Sequence, residues 1–418
     1  MLQIAVWCLV VTALLSYVNN RFIGLPTSIG VMTIALCISM ALIGLDKLGF
    51  SAPHTFEVTM MQSIDFTDVL MQGMLSLLLF ASGLHVDLNR LRTFRWPIGI
   101  LAFIGTTITA ILVGLALWKL LPLVSIHLPL GYCLAFGALI SPTDAVAVAG
   151  ILKSSNTPKN LEAVISGESL FNDAVGVVLF ALALVVINTG QLPGINRGLL
   201  LLAQEGGGGI LLGLAIGYGL FYMLRGVDSP EVEILLTLAA VMAGYGVADQ
   251  LHFSGPLTAV VMGITFNSKA STGALAQTTQ EHLSRFWTLI DSLLNTVLFV
   301  LIGLEITSVN FQSGIFVAAI LTIIITLLAR AISIATPMML FKKAFNLPSG
   351  SWQLLTWAGL RGGVSVALAL SLPKGDSHIV NSNTVLSLTY CVVIFSILGQ
   401  GLTISKVAQY TTRPTAKV

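Results

Sequence analysis

The sequence predicts an all-α polytopic membrane protein of about thirteen transmembrane helices in two inverted repeats, with two broken, crossing helices (spans five and twelve). Three observations carry that prediction. Of 418 residues, 56% are hydrophobic and only 9% charged, a composition that soluble globular domains do not reach. The apolar residues fall into runs near the roughly 20 residues that a hydrocarbon core of about 30 Å requires. Two of those runs, the fifth and the twelfth, carry charged or helix-breaking residues at mid-span.

Cut at its charged and Pro/Gly-rich breaks, the chain gives spans at 2–18, 26–45, 67–84, 97–121, 129–151, 160–187, 199–223, 232–249, 254–268, 287–305, 313–340, 351–372 and 383–404. The first, "MLQIAVWCLVVTALLSYVNNR", has no basic residue before Arg21, so it is expected to be a retained helix and not a cleaved signal. "EGGGG" at 205–209 opens span seven and reads as a loop with close helix packing, or as a hinge between repeats. The ninth span is short. The stretch after it, "STGALAQTTQEHLSR" at 271–285, is too polar to cross and is expected to lie as a helix at the interface. Residues 1–187 form the first repeat, 199–223 the connecting span and 232–404 the second repeat, and only a short cytoplasmic tail, 405–418, is expected after them.

Charge placement gives the orientation. Fourteen Lys and Arg, among them Arg21, Arg90, Lys159, Arg225, Lys269 and Lys342, fall on one side of this layout and four on the other. Basic residues favour the cytoplasm, so the N-terminus is expected outside and the C-terminus inside a cytoplasmic (inner) membrane. A net charge of +2 without blocks of like charge excludes a nucleic-acid partner. Cys8, Cys37, Cys133 and Cys391 lie in apolar runs without metal-ligand spacing and read as small buried hydrophobes.

Span five reads "GYCLAFGALISPTDAVAVAGIL", with Pro142 and Asp144 at its middle. Proline removes a backbone donor and clashes with the preceding turn, and a charge is costly in hydrocarbon. Pro142 alone would signal a kink. Span twelve, "SWQLLTWAGLRGGVSVALALSLP", places Arg361, Gly362 and Gly363 at the matching depth. The two spans are seven apart, and an odd offset inverts one relative to the other. Interrupted helices at corresponding places in two inverted halves point to a secondary transporter with its site near the bilayer midplane. Half-helix ends carry partial charges, so Asp144 is expected to compensate N-terminal ends and Arg361 C-terminal ends.

Between the breaks, "GESLFNDAVGVVLF" at 167–180 sets Glu168, Asn172 and Asp173 within two turns of an apolar helix. Positions four apart share a face, which pairs Ser169 with Asp173 and Glu168 with Asn172 on faces about 100° apart. One pair can look at a small ligand while the other makes structural contacts. A carboxylate, a hydroxyl and the carbonyls that a Pro-broken helix exposes near Thr143 suit a hard monovalent cation. Low dielectric favours the neutral carboxyl and a bound cation favours the anion, so one carboxylate holds a proton or a cation but not both. That competition is sufficient for cation/proton exchange. Glu168 and Arg330 both lie within spans, and the cost of unpaired buried charge predicts a salt bridge between them.

"SPTDAVAV" at 141–148 followed by "GESLFNDAVGVVLF" resembles the monovalent cation/proton antiporter-1 family, the NhaP-like Na⁺/H⁺ antiporters related to animal sodium/proton exchangers. The resemblance implies a core domain (spans 4–6 and 11–13) moving against a dimerisation domain in a homodimer. It implies an ion- and proton-binding set of Asp173, Ser169, Thr143 and Asn172, with Asp173 as the carrying carboxylate, Ser169 and Thr143 as co-ligands of Na⁺ or Li⁺, and Asn172 as the mark of an electroneutral, one-for-one branch. Where several relatives carry an acid after the Phe of a third-span motif, this chain has "LFASGL" with Ala81, so a ligand contributed there is absent.

The partners expected are therefore monovalent cations, protons and the bilayer, with no cofactor and no enzymatic step. A K⁺/H⁺ antiporter of the same family is the near alternative. An organic-anion symporter would show more basic residues at the breaks, an intramembrane hydrolase would need an activating histidine that the spans lack, and a channel would need a continuous polar path. Asp291 and Glu305 read as interfacial ends of span ten, with Asn295 deeper in a polar network. The six histidines read as lying in or beside loops, where they titrate in the physiological range.

Overall fold

A computed structural model describes residues 2–48, 73–144, 148, 157–192, 194–227, 229–270, 276–305, 314–341, 345, 347, 350–373 and 378–411. All regular secondary structure among them is helical. Nine helical runs among the described residues are long and apolar enough to cross a membrane, which makes this a multi-pass membrane protein.

The elements that place the site are α1 (Leu2–Val18), α2 (Thr27–Lys47), α3 (Leu75–His85), α4 (Thr106–Leu120), α5 (Leu130–Ile140) and α6 (Lys159–Thr189). They are followed by α7 (Gly208–Leu224), α8 (Pro230–Gln250), α9 (Gly255–Lys269) and α10 (Gln277–Glu305). The last are α11 (Ile315–Leu340), α12 (Ser351–Trp357), α13 (Gly363–Leu370) and α14 (Ile379–Ile394). Residues 67–72, expected to begin the third span, and His54 lie outside the described residues.

Lipid is as apolar as leucine, so helices in a bilayer associate through close packing of small residues more than through the hydrophobic effect. The glycines of α7 show this. A Cβ on Gly209, Gly213 or Gly217 would come within 2.9, 2.7 and 3.0 Å of the carbonyl oxygens of Ser254, Thr258 and Met262, so only glycine lets α7 lie this close to α9. Gly137 of α5 lies in the same way against the Ala110 carbonyl of α4. Contacts sort the helices into two groups: α4, α5, α6 and α11 to α14 pack on one another, as do α1 to α3 and α7 to α10. The groups touch mainly through α6 against α9 and α10 against α13.

Three local expectations are corrected. The "EGGGG" stretch is not a loop: Ile195–Leu202, a π-helical turn at Ala203–Gly207 and α7 follow one another without interruption, because packing on α9 outweighs the low helix propensity of glycine. The polar stretch before span ten is not a separate interfacial helix over its whole length, since α10 runs unbroken from Gln277 to Glu305. Asp291 consequently sits at mid-helix, not at a helix end, and His282 lies within the helix instead of beside a loop. Cys37 is exposed on the outer face of α2 and not buried.

Both interrupted segments come to the same place. α5 stops at Ile140 and residues 141–144 are non-helical; 145–147 and 149–156 lie outside the described residues. Residues 358–362 separate α12 from α13. The breaks meet directly, the Asp144 amide donating to the Leu360 carbonyl at 2.8 Å.

Candidate functional site

Each break leaves backbone groups without helical partners, and each is answered by a charge from the other. The Arg361 guanidinium donates through Nη1 to the carbonyls of Ser141 and Pro142, both at 2.8 Å, just past the C-terminal end of α5. The Asp144 carboxylate lies on Gly362, which caps the N-terminal end of α13; a Cβ at Gly362 would collide with it. A cation thus faces a partial negative pole and an anion a partial positive one. Gly362→Ala is expected to push the Asp144 carboxylate off this pole and slow transport on the order of a hundredfold, the cost that misplacing a site group by an ångström can reach. Initial rates in reconstituted vesicles check this.

A second layer fixes Arg361. Its backbone amide donates to Ser396 Oγ at 2.9 Å, Ser396 Oγ donates to Gln400 Oε1 at 2.9 Å, and Gln400 Nε2 donates to the Trp357 carbonyl at 3.2 Å. Ser396 and Gln400 lie in the π-helical turn Phe395–Gly401 that follows α14. Sequence reasoning missed both, and their four-residue spacing inside an apolar run was the only signal.

The α6 residues divide between two faces. Glu168 is 1% exposed and Arg330, on α11, 3%; Arg330 Nη1 donates to Glu168 Oε1 at 2.6 Å and Nη2 to Oε2 at 2.8 Å, a bidentate buried pair. Asn172 Nδ2 donates to Glu168 Oε1 at 3.3 Å and to Thr143 Oγ1 at 2.8 Å, while its Oδ1 accepts from the Thr143 amide at 3.2 Å. The Asn172 amide is thus engaged on both sides and ties the first break to the salt bridge. The Thr143 and Ser169 hydroxyls share a hydrogen bond of 2.8 Å.

On the other face, Ser169 and Asp173 look into a cavity of about 900 Å³ that Thr143, Asp144 and Gly362 also line. Along α6 it takes in Glu162, Ser166, Ser169 and Asp173, a run of roughly 16 Å at about 1.5 Å per residue. Pro26, His85, Asp87, Arg90 and Lys159 line it as well, residues from the chain's basic-rich side. His85 closes part of this wall, with Nδ1 2.8 Å from the Ala81 carbonyl and Nε2 3.1 Å from Thr288 Oγ1. Ala81 itself is fully buried. The geometry therefore sets the Asp173 carboxylate and the Ser169 hydroxyl of α6 on the cavity, while Glu168 and Arg330 close on each other behind them.

Residues 10–410 match the family described as "sodium/hydrogen exchanger, transmembrane". The chain is 43% identical to the Na⁺/H⁺ antiporter NhaP of Pseudomonas aeruginosa, covering 100% of this chain and 99% of that one. It is 32% identical to the Na⁺/H⁺ antiporter NhaH of Halobacillus dabanensis, over 89% and 90% of the two chains. Among solved structures, the sodium proton antiporter of Methanocaldococcus jannaschii superposes with a TM-score of 0.71 over 92% of this chain and 98% of that one. At 18% identity that likeness shows a shared fold.

Proposed function

Because the chain belongs to the sodium/hydrogen exchanger family and is a secondary Na⁺/H⁺ antiporter, we propose that Asp173 is the single carrier carboxylate. It binds Na⁺ (or Li⁺) and H⁺ in competition, one for one. The observation that carries this reading is the division of α6 into two faces: Glu168 and Asn172 are closed into the Arg330 network, and Asp173 with Ser169 faces the cavity. Thr143 completes the ligand set from the break.

The exchange needs no cofactor. A cation entering the cavity meets Asp173, displaces its proton and is held by the carboxylate and the neighbouring hydroxyls. A bare carboxylate is too costly to carry through the barrier, so the core domain, built from α4 to α6 and α11 to α14, moves only when Asp173 is neutralised by one ion or the other. Asp144 and Arg361, opposite in charge, travel with it and add no net charge. The remaining helices form the stationary, dimerising part of a homodimer in the cytoplasmic membrane. By the excess of basic residues near its mouth, the cavity faces the cytoplasm.

Competition fixes the pH dependence. Acid fills Asp173 with protons and slows cation uptake, and raising the cation concentration tenfold, once it is saturating, moves the acid limb down by about one pH unit. Rates of ²²Na⁺ uptake across pH at two Na⁺ concentrations check this; an acid limb that ignores Na⁺ contradicts it. Electroneutrality is tested in proteoliposomes with and without an imposed membrane potential. Na⁺-driven proton movement that ignores the potential supports one-for-one exchange, and movement that follows the potential refutes it.

A further inference from the structure

The Glu168–Arg330 pair reaches the first break through Asn172, which donates to Glu168 Oε1 and to Thr143 Oγ1. Toward the second break its direct link is weak, Arg330 Nη2 lying 3.5 Å from the Leu355 carbonyl of α12. The remaining donor of this guanidinium, Nε, is buried and has no hydrogen-bond partner among the described residues. The buried Thr326 hydroxyl, one turn earlier on α11, is in the same situation. Thr322, a further turn back, spends its hydroxyl on the Ala318 carbonyl at 2.7 Å, a common habit of helical threonine. Thr326 makes no such bond. Four apart on one helical face, Thr326 and Arg330 line a second, small cavity of about 10 Å³ against Thr356, Gly359 and Gln400. That is about the room of one water molecule. A Cβ on Gly359 would come within 2.9 Å of Arg330 Nε, so the glycine keeps the space beside this donor open.

We propose that this small cavity is the site of one structural water, which ties the buried ion pair to the second break. The water accepts from Arg330 Nε and from the second Nε2 hydrogen of Gln400, whose first goes to the Trp357 carbonyl, and it donates to Thr326 Oγ1. Three such bonds are what a buried water ordinarily makes, and an unanswered guanidinium N–H is costly where the dielectric is low. Ile323 and Leu327 line the same space from α11 and are apolar, so no polar side chain of theirs answers the donor. Glu168 already neutralises Arg330, and the site therefore calls for a neutral acceptor and not for an anion. The water does for the second break what Asn172 does for the first, and the ion pair becomes the hub between the two. Thr326 is then a positioning residue, acting on Arg330 and the break through the water. The assignment is independent of which carboxylate carries the ion, since none of these groups lines the larger cavity.

The test is a density map of the purified protein at a resolution that shows ordered water, from crystals grown in chloride and in bromide, with exchange rates measured in proteoliposomes alongside. Wild type is expected to show one water peak within hydrogen-bond distance of Arg330 Nε and Thr326 Oγ1, and no anomalous signal from bromide there. The absence of a peak overturns the proposal, and so does a bromide signal, which would make the occupant a halide. Thr326→Val, close in shape but without the hydroxyl, is expected to lose the peak and to lower the maximal rate of Na⁺/H⁺ exchange about fivefold, the size of one net hydrogen bond. The apparent KM for Na⁺ should stay unchanged, because the larger cavity is untouched. Thr326→Ser, which keeps the hydroxyl, should restore both the peak and the rate. A Thr326→Val protein that keeps the water, or that loses it and still exchanges at the wild-type rate, overturns the positioning role. If Thr326→Val does not reach the membrane folded, Thr326→Ala is held to the same rate criterion, and the wild-type map still decides the site.

Discussion

Asp173→Asn is expected to abolish cation-driven proton movement and to leave a folded protein. Asparagine is nearly isosteric with aspartate, and the side chain points into the cavity and not into the packed network of Glu168, Asn172 and Arg330. The fold therefore loses little. On the proposed mechanism transport loses its carrier group, because an amide neither releases a proton to an arriving Na⁺ nor neutralises it. Quenching of a pH-sensitive dye in proteoliposomes should show no response to Na⁺, Li⁺ or K⁺, and thermal unfolding in detergent should stay within a few degrees of wild type.

The second large effect is on stability. Glu168→Ala or Arg330→Ala leaves one member of a bidentate, fully buried ion pair without its partner, which costs about 3–5 kcal/mol. The loss extends beyond the pair, since Glu168 Oε1 also receives Asn172 and, through it, Thr143 at the first break. The double replacement by apolar residues of similar volume should recover much of the single-mutant loss, because neither charge then remains buried alone. Midpoints of thermal unfolding for the two single variants and the double variant form the cycle. Single variants as stable as wild type, or a double variant at the sum of the two losses, contradict this account of the pair.

What the sequence made legible was what hydrocarbon makes expensive. Glu168, Asp173, Arg330, Asp144 and Arg361 stand out because a charge inside an apolar run requires a reason, and the structure pairs Arg330 with Glu168, sets Arg361 on the first break and places Asp144 and Asp173 in one cavity wall. Pro142 and the Gly362–Gly363 pair marked where the helices stop. Neutral partners gave no such signal: Ser396 and Gln400 cost little in a transmembrane helix, and nothing in their surroundings distinguishes them until Arg361 is seen against them.

Hydropathy misplaced the start of α10. The stretch from Gln277 to Arg285 is polar, so the span was drawn from residue 287, although no glycine or proline interrupts the chain before Gly303. Helix breakers were the better guide there. With the helix begun at Gln277, Asp291 falls at its middle and belongs to the cavity wall. The glycines at 206–209 misled in the opposite direction, since their conformational freedom suggested a loop, whereas the run is helical and the small size of Gly208 and Gly209 lets it lie close to Phe253 and the Ser254 carbonyl.

The measurement that bears most directly on the central claim counts protons released per cation bound. Purified protein in weakly buffered detergent solution, at a pH where Asp173 is protonated, is titrated with Na⁺ in a calorimeter using buffers of different ionisation enthalpy. The account predicts one proton released for each Na⁺ bound, and neither binding nor release in Asp173→Asn. Na⁺ binding without proton release, or binding that persists in Asp173→Asn, would mean that cation and proton do not share this carboxylate.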